Sequence, residues 1–554
     1  MTWNEQNKAN TIMDVLEGTV QEWYDQVDGL LKASDFIPGQ YEYSINVAYA
    51  NSGEFQEGGQ THVDIGCDRF KMISLDNSYI SLEMTVPIGK PAVSAEASST
   101  LVKPKAYYIG FKSALDAIDQ YRIYSNSDLI LTQNHSNYES FLQYMSVSDV
   151  AKENSELYAT WKKVQAMNED VPGVYVKSTI TDSATATINV PLNIRIPLNQ
   201  FLLLANLKWF PGFFGKLTLE IYPSYKNLVI VPIFPIDPYA TAGATCLNET
   251  ELLSLSDATA VNANGANLFG FRQINTPVVY AVNDVTSGHA KSLKTGTFTC
   301  NTSTTKKCHI RLAETVVRMD VYNECQARFI NKPMLFPIQT IISKDFSGQM
   351  PNSAGDRISM TMTNALNHCN SMFVVFKRSN NDRTCFENPM IKYQINIDGK
   401  YFPREEYQTY DDHKNVNLFL DATNFNGNGL FSVPDDIYHS LQPYVKRRDY
   451  SAGGDGTETK VFQAKDRSNF AISIPFCEDD TFQAGIHTGG TVQVELVGSR
   501  TALCPTLYAS VNPTGLYVED CILKLRAVKP SGEPQISFTH ATPEQLLATA
   551  VVAN

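Results

Sequence analysis

Apolar residues recur at every second position through most of this chain. From Phe36 onward the runs YEYSINVAY, RFKMISL and YISLEMTVPI alternate apolar with polar side chains and are separated by Gly, Asn, Ser and Pro clusters. That is the pattern of short half-buried strands in a β-sandwich. Helices do not alternate with these strands, which excludes a parallel α/β architecture. Two stretches depart from the pattern. Residues 11–31 place Ile12, Val15, Leu16, Val20, Trp23, Tyr24, Val27, Leu30 and Leu31 on one face of an amphipathic helix. Between 139 and 167, Phe141, Leu142, Met145, Leu157, Tyr158, Trp161 and Val164 predict one or two helices inserted between strands.

The alternating pattern comes twice. Ile188 to Ile221 runs through Ile194 and Ile196 into Pro197-Leu198, and through Gly215 into a second strand, LTLEI. Phe470 to Leu496 repeats this with Ile472, Ile474, Pro475-Phe476 and a strand VQVEL after Gly490. The copies lie 278 residues apart at Pro197 and Pro475 and 275 apart at Gly215 and Gly490, and half of the 554 residues is 277. A second pair agrees: Phe111-Lys112 before QYRIYSNSD, and Phe376-Lys377 before KYQINIDGK. A spacing of half the chain marks a duplicated domain, since solenoid repeats recur every 20 to 50 residues or so.

Expected boundaries follow from composition. Residues 1–35 form a helical arm, 36–235 a first β domain with an insertion at about 132–185, and 236–269 an Ala-, Thr-, Asn- and Gly-rich linker. Residues 270–530 form a second β domain with an insertion at about 404–468, at the same place in its own repeat, and 531–554 a tail. In that tail Thr542, Pro543 and Gln545 sign the start of a short helix. Insertions at matched points are expected on one face of the molecule.

Length and composition fit two soluble domains, at 43 % hydrophobic and 19 % charged residues. The longest apolar runs, 201–204 and 228–233, are far shorter than the roughly 18 residues of a membrane span. The first ten residues lack the form of a secretory signal, so the sequons at Asn134, Asn248 and Asn301 are expected to be unglycosylated. Ten cysteines without a CxxC suit neither a zinc site nor a disulfide framework, and Cys521 reads as a core residue. A net charge of −13 argues against extensive nucleic-acid contact, and the compact basic run Lys446-Arg447-Arg448 reads as a solvated loop.

The search for chemistry returns no catalytic, cofactor-binding or metal-binding residues. HExxH, GxSxG, the P-loop and the dinucleotide fingerprint are all missing. The acid pairs Glu405-Glu406, Asp411-Asp412, Asp435-Asp436 and Asp479-Asp480 read as solvated loop residues rather than a glycosidase pair. Cys308-His309 and His368-Cys369 are adjacent pairs that cannot readily chelate one ion together.

Two consecutive β domains, each with an I-x-I-P strand leading through glycine to G-x-[LV]-x-[LV]-E-[IL], resemble the double jelly-roll major capsid proteins of the adenovirus-like lineage of DNA viruses. The IPLNQF…GKLTLEI segment is most similar to those of polintons, polinton-like viruses and virophages. The resemblance implies an all-β fold of two tandem eight-stranded jelly rolls with inserted loops and short helices. It implies a non-enzymatic major capsid protein of the virion, made and assembled inside the host cell, whose homotrimer carries six jelly rolls as a pseudo-hexameric block of an icosahedral shell. Neighbouring capsomers, penton and minor capsid or cement proteins and an inner membrane are the implied partners, with a host receptor met through the outward loops. The terminal helices are the subunit-contact candidates, through Ile12, Leu16, Trp23, Val27, Leu30, Leu546 and Leu547. The alternative from another class is a tandem β-sandwich carbohydrate-binding protein or glycosidase accessory module, which shares the acidic loops and the 11 % aromatic content.

Overall fold

The computed structural model describes the chain between 44 and 540, apart from single-residue and short gaps and the segments 92–100, 147–173, 178–186, 234–271, 285–290, 317–322, 328–333, 348–356, 423–444, 477–490, 501–511 and 527–534. Residues 1–43 and 541–554 also lie outside the described residues.

In chain order, the first half opens with β1 (Ser44–Tyr49), β2 (Phe55–Gln56), β3 (Thr61–Ile65) and β4 (Lys71–Gly89). A connection carrying β5 (Leu101–Val102) and β6 (Ala106–Gly110) leads to the hairpin of β7 (Ile118–Ser125) and β8 (Asp128–Asn134). Helix α1 (Ser136–Ser146) and β9 (Val174–Lys177) precede β10 (Thr187–Pro197), β11 (Trp209–Pro211) and β12 (Leu217–Pro223). A last connection holds β13 (Val229–Ile233), β14 (Arg272–Gln273), β15 (Pro277–Asp284) and β16 (Lys291–Thr297), and β17 (Thr304–Val316) closes the half. The second half runs through β18 (Met334–Asp345), β19 (Arg357–Ala365), β20 (Cys369–Lys377), β21 (Ile391–Ile397) and β22 (Lys400–Gln408). It continues through β23 (Val445–Ser451), β24 (Glu458–Ala464), β25 (Ala471–Pro475), β26 (Thr491–Arg500), β27 (Asn512–Arg526) and β28 (Gln535–His540).

Two sheets make each sandwich. In the first they run β1-β17-β4-β10 and β3-β12-β7-β8; in the second, β18-β27-β20-β25 and β19-β26-β21-β22. Numbering the eight principal strands within each sandwich, both read first-eighth-third-sixth and second-seventh-fourth-fifth. That order is a jelly roll, present twice, and the described strand pairs within it are antiparallel. The fold is therefore an all-β double jelly roll, and the expected duplication is seen as topology.

The repeated motifs fall on equivalent strands. Ile194 and Ile196 on β10 face Leu82 and Ile80 of β4 and are fully buried, while Ile472 and Ile474 occupy the same place on β25. Leu217, Leu219 and Ile221 of β12 match Val494 and Leu496 of β26 as core residues of the seventh strand. Gly215 ends the short turn before β12 at φ +86°, a backbone conformation that a side chain disfavours. Three residues earlier Gly212 lies against the Asp68 carbonyl, so closely that an added methyl has no room. Gly212→Ala is expected to lower stability by about 1–3 kcal/mol through overpacking, read as a fall in the thermal unfolding midpoint.

The sheets divide the chain later than composition does. Residues expected in the second domain, 272–316, pair with the first: β14 with β13, β15 with β5, and β17 with both β1 and β4. β17 is thus the eighth strand of the first sandwich, and the division falls between β17 and β18. The expected linker, 236–269, lies outside the described residues. The cause is an insertion of about eighty residues between the seventh and eighth strands, whose Ala-, Thr- and Asn-rich middle imitates a domain linker. Phe111-Lys112 is also not the counterpart of Phe376-Lys377: the latter pair ends the third strand β20, whereas the former follows the inserted strand β6. Lys446-Arg447-Arg448 lies on β23, paired with β24, and not in a loop.

In each sandwich a long connection joins the fifth strand to the sixth, β8 to β10 and β22 to β25. In the first sandwich this connection shares one end of the molecule with those between β4 and β7 and between β12 and β17. The registers require it, because Gly89 of β4 lies opposite Thr187 of β10, and Pro223 of β12 opposite Ile118 of β7. Together the three connections build two further sheets, β14-β13-β6-β9 and β16-β15-β5.

Candidate functional site

The site that the fold creates is the seam between its two sandwiches. α1 leaves the end of β8 with Tyr138, Phe141 and Leu142 buried against Phe373 and Val375 of β20, Leu516 and Val518 of β27, and Phe386, all in the second sandwich. Phe141 meets Phe386 edge to face at 4.7 Å between ring centroids, and Tyr138 stacks on the same ring at 6.1 Å. β20 is buried on both faces, since Met372, Val374 and Phe376 point into their own sandwich while Phe373 and Val375 meet α1. A doubly covered strand needs apolar residues at successive positions, hence the run FVVF. Farther down, Ile338 of β18 and Cys521, Leu523 and Leu525 of β27 join the core of the first sandwich.

Polar groups lock the same seam at the insertion end. Gln133 of β8 donates from Nε2 to the Ile341 carbonyl of β18 at 3.2 Å, and Asn137 of α1 donates to the Arg383 carbonyl. The Gln273 side chain accepts from the backbone N–H groups of Arg383 and Thr384, and the Arg383 guanidinium pairs with Asp119. Lys377 is buried at the end of β20, where its Nζ reaches Asp345 at 3.0 Å and the Tyr138 hydroxyl at 3.3 Å. Burial opposes ionisation of Asp345, but the Thr514 hydroxyl and the Lys377 ammonium outweigh it and hold its carboxyl below the usual range. These bonds join the insertion end of one sandwich to that of the other, so both stand the same way up.

α1 is held from below by a buried acid. Glu139 accepts from the Tyr121 hydroxyl at 2.7 Å and from the Leu202 backbone N–H at 3.0 Å, and burial pushes its carboxyl up to about 8 despite both bonds. Nearby Asp116, buried in the capped turn Ala114–Ala117, is pushed up to about 7 by the same desolvation. The second sandwich repeats the anchor in neutral form: Tyr393 of β21, the counterpart of Tyr121, donates to Asn415 at 2.9 Å, in the segment after β22. Tyr121→Phe removes the hydroxyl that donates to the buried Glu139 carboxyl. The expected loss is about 1–3 kcal/mol, measured by denaturant unfolding.

Among the candidates from sequence, Ile12, Leu16, Trp23, Val27, Leu30, Leu546 and Leu547 lie outside the described residues, as does the expected helix around 157–164. Glu405 and Glu406 are exposed on β22, Glu406 pairing with Arg357 at 2.8 Å, and the other acid pairs lie outside the described residues. Cys308 and Cys369 are buried, and burial drives the Cys308 thiol up to about 12. Among the described residues no three His, Cys, Asp or Glu side chains cluster as a metal site. Exposed large apolar side chains, by contrast, mark the repeat: Leu129 and Tyr401, 55 % and 45 % exposed, each stand second on the fifth strand of their sandwich. Sequence reasoning missed the seam residues of α1 and their partners, although FVVF carried a signal.

No protein-family model matches the chain, and no curated protein matches it. Solved structures similar to it include that of the Sputnik virophage at 10 % identity, covering 92 % of this chain and 91 % of that one with a TM-score of 0.46. The mavirus major capsid protein is similar at 9 % identity, covering 92 % of each chain with a TM-score of 0.45. The Faustovirus major capsid protein is similar at 10 % identity, covering 93 % and 98 % of the two chains with a TM-score of 0.37.

Proposed function

We propose that this chain is the major capsid protein of a DNA virus or virophage, a structural block without catalytic activity that assembles as a trimer and tiles an icosahedral shell. The observation that carries the reading is the identical strand order of two jelly rolls fused side by side with their insertions pointing the same way. Such a pair is a rigid block with few free strand edges, whose loops vary without disturbing the core. Three copies in a ring would offer six similar flanks, which suits packing into a sheet of hexagonal blocks. The inserted sheets at one end would form the outward tower and carry any receptor contact. Penton, minor capsid or cement proteins and an inner membrane would meet the block at its edges and base. The terminal segments, through Ile12, Leu16, Trp23, Val27, Leu30, Leu546 and Leu547, would lock subunits together. No observation in the seam or the comparisons favours the carbohydrate-binding alternative. Light scattering on purified protein tests the proposal: a mass of three times 61.6 kDa supports it, and a monomer at all concentrations overturns it.

A further inference from the structure

We infer that α1 is a proton-operated latch: loss of protons from the two carboxyls beneath it, Glu139 and Asp116, frees the helix from the first sandwich while the strands of both sandwiches stay paired. The two faces of the helix are built from different materials. Toward the second sandwich α1 presents Tyr138, Phe141 and Leu142 to an apolar cluster. Toward its own sandwich it is held by polar groups. Ser136 donates to the Ile118 carbonyl at the start of β7, Glu139 accepts from the Tyr121 hydroxyl and the Leu202 N–H, and Ser140 lies beside Asp116 of the turn Ala114–Ala117. Both acids are buried. A seat made of buried carboxyls holds while they are neutral and admits water when they ionise, so the break falls on this polar side.

The surroundings make the helix a separable unit. The chain enters α1 from β8 through one residue in the left-handed region, His135 at φ +59°, so a single joint sets the direction of the helix. Asn137 on α1, and Asn227, which donates to the Asp116 carbonyl at 2.9 Å, each keep a buried side-chain oxygen without a partner among the described residues. Water entering beneath the helix satisfies both, which lowers the cost of opening. The charged and titratable groups that bear on the two acids are Tyr121 at Glu139 and Lys112 at Asp116, and burial outweighs the Lys112 charge. His135 and the ion pairs of Asp119 with Arg383 and Lys226, and of Lys377 with Asp345, lie at the first turn of the helix. With folded values of about 8 and about 7 against ordinary values of 4.5 and 3.8, the closed helix keeps two protons that the open one releases. Below the ordinary values the latch is fully shut. Between about pH 5 and 6.5 each unit favours opening by about a hundredfold, and above about 7, once Asp116 has ionised, by about tenfold until Glu139 follows near 8.

Hydrogen–deuterium exchange of the full-length protein, read by mass spectrometry and corrected for the intrinsic rate at each pH, tests the latch across this range. In the wild type the α1 amides are expected to exchange ahead of those of β4, β10 and β12, and to accelerate by about a hundredfold per unit in the lower part of the range. Glu139→Gln should reduce that to about tenfold, and Glu139→Gln/Asp116→Asn should hold α1 closed at every pH. Should the double variant not fold, the single one decides alone, since an undiminished dependence in it overturns the latch. Exchange of α1 that is independent of pH in the wild type overturns it as well. So does exchange of α1 only in step with the strands of both sandwiches, which would assign the pH dependence to global unfolding.

Discussion

Phe141→Ala is expected to uncouple the two sandwiches at a cost of about 3–5 kcal/mol, because the ring is buried, packs edge to face on Phe386, and leaves a cavity between two sheets that cannot close on it. Among the described residues α1 reaches the second sandwich through three apolar side chains, so removing the middle one should weaken the whole contact. Calorimetry is expected to show one cooperative transition in the wild type and two in the variant. Phe386→Ala attacks the same contact from the other side, and the double variant should lose less than the two single losses added, since both delete one interaction. A variant that unfolds in a single transition at the wild-type temperature would mean that the seam does not couple the sandwiches.

Stability is expected to fall as pH rises from about 5 to about 8, and Glu139 is the main cause. Its carboxyl moves from an ordinary 4.5 to about 8 in the folded protein because burial penalises the ionised form. Below the ordinary value it is protonated in both folded and unfolded chains, and its contribution is fully present. Between the two values the unfolded chain releases a proton that the folded chain keeps, so each rise in pH favours unfolding, by up to about 1.4 kcal/mol per unit. Above about 8 the slope ends. Asp116, pushed up to about 7, adds to the lower part of the same window. Glu139→Gln preserves the acceptor for Leu202 and has nothing to ionise, so urea midpoints should lose about half of their slope below about pH 7, where Asp116 still contributes, and most of it between about 7 and 8. Equal slopes in the variant and the wild type would contradict the assignment.

The duplicated pattern was readable because strands six and seven carry their alternation through to the core without interruption. Ile194 and Ile196 against Ile472 and Ile474 are four residues with one job, to fill the space between two sheets. β17 alternates just as well, with Cys308, Ile310 and Leu312 buried, yet its partners β1 and β4 lie more than two hundred residues earlier in the chain. Alternation tells that a strand is half-buried; it does not tell which sheet receives it, and the long insertion before β17 hid the answer. The seam was partly written in the chain. FVVF on β20 announces a strand covered twice, but nothing local says that the cover comes from Phe141 of the other half. Glu139 was invisible for a related reason, since its raised pKa arises from burial by elements far apart in sequence, β7 and the Leu202–Ala205 turn.

Electron microscopy of purified particles, averaged down their symmetry axis, tests the central claim most directly: that two like barrels fused in one chain become six when three copies close. Six-lobed rings built from three chains, with the inserted sheets raised on one side, are the expected result. Isolated two-lobed particles, or rings in which the two barrels of a chain face opposite ways, would contradict it.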